Sequence, residues 1–356
     1  MAHRPRLTAL ATAVPAYRLA QAEVLARAER LFDRGTSEIG RMLAVYGNSG
    51  IEQRYSCMPL EWYEAPHGWA DKNRHFLRHA VDLLERAATD CLNEAGLNAD
   101  DIDGIVAVST TGIATPSLDA LLMDRMPFRR DCWRLPVFGL GCAGGVLGLA
   151  RAAALAKAEP GQKILYLVVE LCALTFRRDD QSKSNIIASA LFGDGAAAAI
   201  VTCNGRDGES DAEMGPEITA WGEHCWPNSL GVMGWRVEDD GLGVVFSRDI
   251  PRLVRTELRL AAENFLVRHG MRLTDLSGFI CHPGGAKVID ALEDAFGLAP
   301  GAMTEARAVL RQYGNMSAVT VMFVMKRVLE RRARGRHLMS ALGPGFTAAF
   351  LTLDLP

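Results

Sequence analysis

The chain repeats itself. Its first half carries Leu92-Asn93-Glu94-Ala95-Gly96-Leu97 and then Asp101-Ile102-Asp103-Gly104-Ile105-Val106. Its second half carries Leu266-Val267-Arg268-His269-Gly270-Met271 and then Asp275-Leu276-Ser277-Gly278-Phe279-Ile280. The halves also end alike: Phe192-Gly193-Asp194-Gly195-Ala196-Ala197 is answered by Gly343-Pro344-Gly345-Phe346-Thr347-Ala348. Each half reads as helix, strand, polar turn, helix, strand, strand, an alternation that builds α/β layers. Two copies of such a unit set equivalent turns face to face across a pseudo-twofold axis. We divide the chain into an N-terminal half, 1–205, and a C-terminal half, 206–356.

The equivalent turns carry the chemistry. An apolar run, Leu135 to Leu140, predicts a buried strand that Gly141 breaks; Cys142 follows, and a small-residue helix runs to about Lys157. The first backbone N–H groups of a helix lack internal partners and carry the positive end of its dipole. A cysteine there is tilted toward thiolate, the form that attacks carbonyls. The offset that relates Gly104 to Gly278 carries Cys142 to within one residue of Asn315, in Tyr313-Gly314-Asn315-Met316-Ser317. The repeated strand itself, Phe279-Ile280-Cys281, leads into His282-Pro283-Gly284-Gly285. Singly, a cysteine in such a stretch is more often an inert core residue, and a lone histidine a structural one. The duplication is what brings Cys142, His282 and Asn315 toward one pocket.

Composition narrows the classes. With 356 residues, 49% of them hydrophobic, the chain can bury a large core. A net charge of −3 leaves no electrostatic footprint for nucleic acid. The eight cysteines, at 57, 91, 132, 142, 172, 203, 225 and 281, include no CxxC pair. That spacing argues against a disulfide scaffold or a metal site and fits a reducing, cytoplasmic setting. Met1 to Ala16 mimics a signal peptide only weakly and reads as a first strand ending in a turn. No run approaches the roughly 20 apolar residues that span a bilayer. Helices are predicted over Gln21–Phe32, Ser37–Val45 and Asn73–Glu94, the last ending at Gly96. Residues 46–75, rich in aromatics, glycine and proline, read as a surface loop or a lid.

The joint motif set of Gly141-Cys142-Ala143-Gly144-Gly145, Leu191-Phe192-Gly193-Asp194-Gly195, His282-Pro283-Gly284-Gly285, Tyr313-Gly314-Asn315-Met316-Ser317 and Gly343-Pro344-Gly345 resembles the type III polyketide synthases, the chalcone synthase superfamily. The likeness runs from about residue 5 to 354. It implies the thiolase fold, a duplicated five-layered αβαβα architecture of the α/β class, working as a homodimer. It implies an acyltransferase that takes malonyl-CoA and an acyl-CoA starter as substrates, with no resident cofactor. By this resemblance Cys142 is the nucleophile, and His282 and Asn315 complete a triad. Phe192 is the pocket phenylalanine beside it, and Cys172, Thr175, Trp235, Val244, Ser317, Gly343, Pro344 and Gly345 belong to the substrate pocket. The stretch Met233-Gly234-Trp235 to Ile250-Pro251 looks most like the bacterial branch that makes alkylresorcinols and alkylpyrones from medium or long fatty acyl starters.

The implied chemistry explains the residue types. Starter transfer needs a thiolate, with His282 as its ion-pair partner. Decarboxylation of malonyl-CoA makes an enolate, whose oxyanion the His282 imidazole and the Asn315 amide can bind; one such donor is worth roughly 3–4 kcal/mol of barrier. Departures from the family pattern are equally specific. Val244 stands where plant members carry a second, gating phenylalanine. Of the plant CoA-binding cations, Arg41 is matched, Arg54 lies close by, and Ala44 and Asn48 occupy the other positions. Thr115 stands where plant members place the methionine that crosses the dimer. Alternative readings are a synthase primed by malonyl-CoA or an aromatic acyl-CoA, a ketoacyl synthase III-like condensing enzyme, and a catalytically dead scaffold subunit. Pro283-Gly284-Gly285, in place of Gln-Ala-Asn after the histidine, argues against the second, and the intact triad against the third.

Overall fold

A computed structural model describes residues 4–32, 37–203, 215–247 and 249–356. Its strands are β1 (Arg6–Ala13), β2 (Tyr17–Ala20), β3 (Gln53–Ser56), β4 (Gly104–Val108), β5 (Trp133–Val137), β6 (Lys163–Leu171), β7 (Asp194–Thr202), β8 (Glu217–Cys225), β9 (Met233–Glu238), β10 (Gly241–Phe246), β11 (Gly278–Cys281), β12 (Gly335–Gly343) and β13 (Thr347–Leu355). Nine of them line up in the order β11-β12-β13-β8-β1-β7-β6-β4-β5. The two halves of this sheet meet at β1 and β8, where the registered pair is Arg6 with Glu217. Arg6 and Glu217 also form an ion pair across that joint, at 3.1 Å.

Helices complete five layers, as the resemblance implies. The amphipathic helix Trp69–Ala95 covers β1, β6 and β7, and Arg259–Arg268 covers β8 and β13 from the other side. Between the sheet halves lies Gly144–Ala158, touching β4, β6 and β7 on one side and β8, β12 and β13 on the other. Thr320–Glu330 shares this central layer, against β1, β7, β11 and β12. A helix between two sheets has little solvent face, which is why both central helices read as apolar nearly all round. They cross very closely: a Cβ on Gly145 would lie 2.1 Å from the Ala318 carbonyl oxygen. Glycine is therefore required at that crossing.

Several boundaries differ from the sequence reading. β5 ends at Val137 rather than Leu140, because Gly139 adopts a left-handed φ of +93° and turns Phe138 outward, 60% exposed. The stretch 46–75 is more regular than expected: it holds β3, a helical turn at Leu60–Glu64, and the start of the long helix at Trp69. That helix does end at Gly96, in the left-handed conformation, which a glycine after a helix favours. The boundary expected at 205/206 falls outside the described residues. Strands β9 and β10 form a separate two-stranded hairpin with Val244 opposite Trp235 and Phe246 opposite Met233. Among the described residues no helix is long and apolar enough to cross a membrane.

Candidate active site

Cys142 lies in a tight helical turn, Gly141–Ala143, that leads into the central helix. The turn is held from both sides. Gly141 has φ +48° and donates its N–H to the Thr110 hydroxyl at 3.1 Å. A Cβ at Gly141 would come within 2.5 Å of the Pro344 ring, and one at Gly343 within 2.5 Å of the Leu140 carbonyl. The Gly343-Pro344-Gly345 turn therefore backs the cysteine loop rather than facing the pocket. The carbonyl of Gly345 accepts a hydrogen bond from Ser229, at 2.9 Å.

His282 follows β11 directly, its backbone N–H donating to Ser340 at 2.9 Å. Asn315 comes from the other turn of the repeat, and its backbone is stitched to the Phe192 motif. Asn315 N donates to the Leu191 carbonyl at 2.8 Å, and Gly193 N donates to the Asn315 carbonyl at 3.0 Å. Its side-chain oxygen accepts from Ser317 N at 2.8 Å, and Nδ2 donates to the Gly284 carbonyl at 3.1 Å. The amide is thus oriented, and one of its two N–H bonds remains for a ligand. Cys142, His282 and Asn315 line one cavity of about 1090 Å³, together with Leu191, Met233 and Phe246. Ser317 joins them, its hydroxyl 3.5 Å from the Cys142 sulfur.

The electrostatics differ from the expected thiolate. Burial pushes the Cys142 thiol up to about 12, against a smaller opposing effect of the Ser317 hydroxyl, and the Glu170 carboxyl adds to the rise. Burial alone lowers the His282 imidazole to about 4, and neither of its buried ring nitrogens has a hydrogen-bond partner among the described residues. Burial thus favours the neutral form of both the thiol and the ring. The helix terminus does not overcome desolvation, because the sulfur sits a turn ahead of Gly144 and is 8% exposed. A neutral ring offers no counter-charge; the thiolate forms when the ring takes its proton. Iodoacetamide alkylation of Cys142 across pH should therefore respond to the ring. In His282→Gln the midpoint should lie at higher pH than in the native chain, because burial raises the thiol and no neighbouring ring then accepts its proton. Equal midpoints would remove His282 as proton acceptor.

The other sequence-assigned residues separate into two groups. Phe192 packs edge-on between Trp235 and Phe246, with ring centroids 6.0 and 5.9 Å away. Cys172, Ala188 and Val244 belong to the same apolar cluster. Behind it lies an apolar recess of about 70 Å³ that Cys172, Thr175, Phe192, Leu31 and Phe32 share. Val244 packs in this cluster and is absent from the lining of the main cavity; Phe246, two residues on and so on the same strand face, takes that place. Val244, assigned to the substrate pocket in place of a gating phenylalanine, thus belongs to the cluster around Phe192 and not to the lining of the main cavity.

Arg54 is also corrected. It is 2% exposed, and its guanidinium donates to the carbonyls of Ser189 (2.7 Å), Ala190 (2.8 Å) and Phe192 (3.0 Å) and to the Gln21 side chain. It ties the end of the helix Lys183–Leu191 in place and presents no charge to a ligand. The Arg41 side chain lies outside the described residues. Sequence reasoning missed Lys183 and Lys287, both exposed, which line the main cavity beside Ala44 and Asn48. It also missed Phe246, which the alternation with Val244 could have supplied.

Comparisons with known proteins agree on the family. The profile of chalcone and stilbene synthases, N-terminal domain, matches residues 6–205, and that of the C-terminal domain matches 217–353. A putative chalcone synthase of Bacillus subtilis is 37% identical over 354 residues, 97% of each chain. A 1,3,6,8-tetrahydroxynaphthalene synthase of Streptomyces peucetius is 37% identical over 98% of this chain and 92% of its own length. The crystal structure of the 1,3,6,8-tetrahydroxynaphthalene synthase of Streptomyces coelicolor, a bacterial type III polyketide synthase, superposes with a TM-score of 0.92 at 27% identity, covering 98% of this chain and 99% of that one. The duplicated five-layer fold, the shared cavity and these full-length matches lead to one conclusion: the chain belongs to the chalcone and stilbene synthases, the type III polyketide synthases.

Proposed function

We propose that this synthase loads an acyl group from a fatty acyl-CoA onto Cys142, extends it with malonyl-CoA and releases alkylpyrones or alkylresorcinols. In loading, His282 takes the thiol proton, the sulfur displaces CoA from the starter, and the ring returns that proton to the departing CoA thiolate. Malonyl-CoA then enters and loses carbon dioxide. The resulting enolate oxygen is bound by the free N–H of Asn315 and by the His282 ring, neutral because burial lowers it to about 4. The enolate carbon attacks the Cys142 thioester, a carbon–carbon bond forms, and the cysteine sulfur leaves while the lengthened chain departs on CoA. Phe192, 6% exposed, holds water away from the carbanion. Lys183 and Lys287 are the cations at the cavity available to the CoA phosphates, and no resident cofactor takes part. We further propose a homodimer: β5 is an edge strand, and Phe138 and Ile113 beside it are 60% and 48% exposed. Sedimentation as a single chain would reject that.

The alkyl starter rests on one observation, the apolar recess behind Phe192. Leu19, Val24, Ala28, Leu31 and Phe32 line it with Cys172, and each buried methylene contributes about 0.8 kcal/mol. As it stands, a recess of about 70 Å³ takes only a few methylenes, so a longer tail has to move Phe192 or Leu31. A second reading, malonyl-CoA as its own starter, is favoured by the 37% identity to a tetrahydroxynaphthalene synthase. Mass spectrometry of products from C4 to C16 acyl-CoA, 4-coumaroyl-CoA and malonyl-CoA alone separates them. Specificity constants should rise with alkyl length, by up to about fourfold per buried methylene. A malonyl-only pentaketide as main product would overturn the alkyl starter and leave the family intact. In the same assay, added salt should raise KM for malonyl-CoA and leave malonyl-pantetheine, which lacks the nucleotide phosphates, unaffected; equal responses would remove the two lysines from CoA binding.

A further inference from the structure

The wall of the pocket opposite Phe192 is not part of the main sheet. It is the β9–β10 hairpin, which supplies Trp235, Val244 and Phe246 to the Phe192 cluster and Met233 and Phe246 to the main cavity. A two-stranded hairpin is only marginally stable alone, so its depth against Phe192 depends on what holds its ends. At the base, the Ser247 N–H donates to the Val232 carbonyl at 2.8 Å. The tip is held by a buried cation.

Lys72, on the helix Trp69–Ala95, is 6% exposed. Its ammonium donates to the backbone carbonyl of Asp240, at the hairpin tip, at 3.0 Å. It also donates to the carbonyl of Phe176, at 2.8 Å, in the segment that follows Cys172 and Thr175. Arg177 reinforces the same point: its Nε lies 2.7 Å from the Asp240 carboxylate, and one terminal nitrogen is 3.0 Å from Asp180. Gly241 leaves the tip with φ +144°, and a Cβ there would sit 3.5 Å from the Lys72 nitrogen, so the backbone comes close to the amine. Burying an amine is costly unless its donors are used. Here the donors join the two walls of the Phe192 cluster, the hairpin and the Cys172–Phe176 segment, to one rigid helix. Neither Lys72 nor Arg177 lines the main cavity.

We propose that Lys72, assisted by Arg177, is a positioning residue that sets how far the β9–β10 hairpin stands from Phe192, and thereby how many extensions the growing chain undergoes before release. The proposal rests on the reading of this cavity as the site of chain extension. Lys72 acts on the chain through Trp235, Val244 and Phe246. A hairpin free at its tip swings outward at Val244 and Trp235, and the space gained admits a longer intermediate.

The test uses the full-length protein with one acyl-CoA starter and malonyl-CoA, reading the ratio of products that differ by one extension. Lys72→Met should shift this ratio toward the longer product by about tenfold, which corresponds to roughly 1.4 kcal/mol between competing exits. The yield of acylated Cys142 after starter addition should remain native. Lys72→Arg, which keeps the charge and the donors, should return the ratio most of the way. Arg177→Met should shift it in the same direction by a smaller factor, and serves if Lys72→Met fails to fold. An unchanged ratio in the folded variants overturns the proposal, whether or not the overall rate falls, because a merely structural lysine lowers rate without altering chain length. If the native protein makes no polyketide, it is the assigned reaction that fails.

Discussion

Cys142→Ala is expected to abolish product formation, with turnover falling by at least about 1000-fold, the scale on which loss of a nucleophile acts elsewhere. The expectation follows from the position of the sulfur rather than its charge. Cys142 is the cysteine among the lining residues of the main cavity, and His282 and Asn315 line the same wall. Cys172 does not replace it: it packs under Phe192 in the apolar cluster, and burial keeps its thiol well above the usual range. Intact-protein mass after incubation with starter CoA should show one acyl adduct on the native chain and none on the variant. Asn315→Ala should separate the two half-reactions, keeping some adduct while losing decarboxylation, since in the proposed reaction its free N–H binds the enolate and takes no part in starter transfer. Near-native polyketide synthesis by Cys142→Ala would withdraw the nucleophile assignment.

The second large effect concerns stability. Arg54→Leu should cost several kcal/mol of folding free energy and lower the melting temperature by many degrees. The guanidinium, 2% exposed, serves three backbone carbonyls at the end of the Lys183–Leu191 helix and the Gln21 side chain. Its removal leaves acceptors buried without donors, each costing about 1–3 kcal/mol. Asp194 would also lose a favourable neighbour; burial already raises its carboxyl to about 6 while it accepts from the N–H groups of Cys57 and Ala173, both at 2.8 Å. Differential scanning calorimetry decides between this role and the CoA contact. A phosphate ligand would lose substrate affinity at native stability; an internal tie would lose stability first.

The same residue shows where the sequence is and is not legible. Cys142, His282 and Asn315 could be placed in one cavity because each sits at a short glycine-containing turn written contiguously, after a strand for Cys142 and His282 and before a helix for Asn315, and because the duplication says which turns face one another. The duplicated α/β layering followed from the same repeat, and the five-layer architecture from the resemblance the motifs carry. Arg54 was misread because the carbonyls it serves are contributed by residues more than 130 positions away, and nothing near it in sequence marks it as buried. The thiol was expected to lean toward thiolate because helix position is a local signal, whereas desolvation depends on every layer packed around the site. Val244 and Phe246 lie on one face of β10 and both pack in the Phe192 cluster, yet only Phe246 lines the main cavity, a distinction that alternation along a strand does not encode. Lys183 and Lys287 lie more than 100 positions apart and are ordinary surface lysines until the fold brings both to the main cavity.

The crossing of Gly145 over the Ala318 carbonyl bears on how the protein comes into being. The central helix Gly144–Ala158 needs sheet on both sides, and the second sheet half, β8 and β11–β13, is synthesised last. A nascent chain that has released only the first half carries the thiol with its apolar helix uncovered, and lacks both groups that would activate it. The reactive machinery is therefore inert throughout translation and is completed only when the Asn315 turn closes over the Phe192 motif. Duplication in this fold works as a lock whose second key is delivered with the final strands.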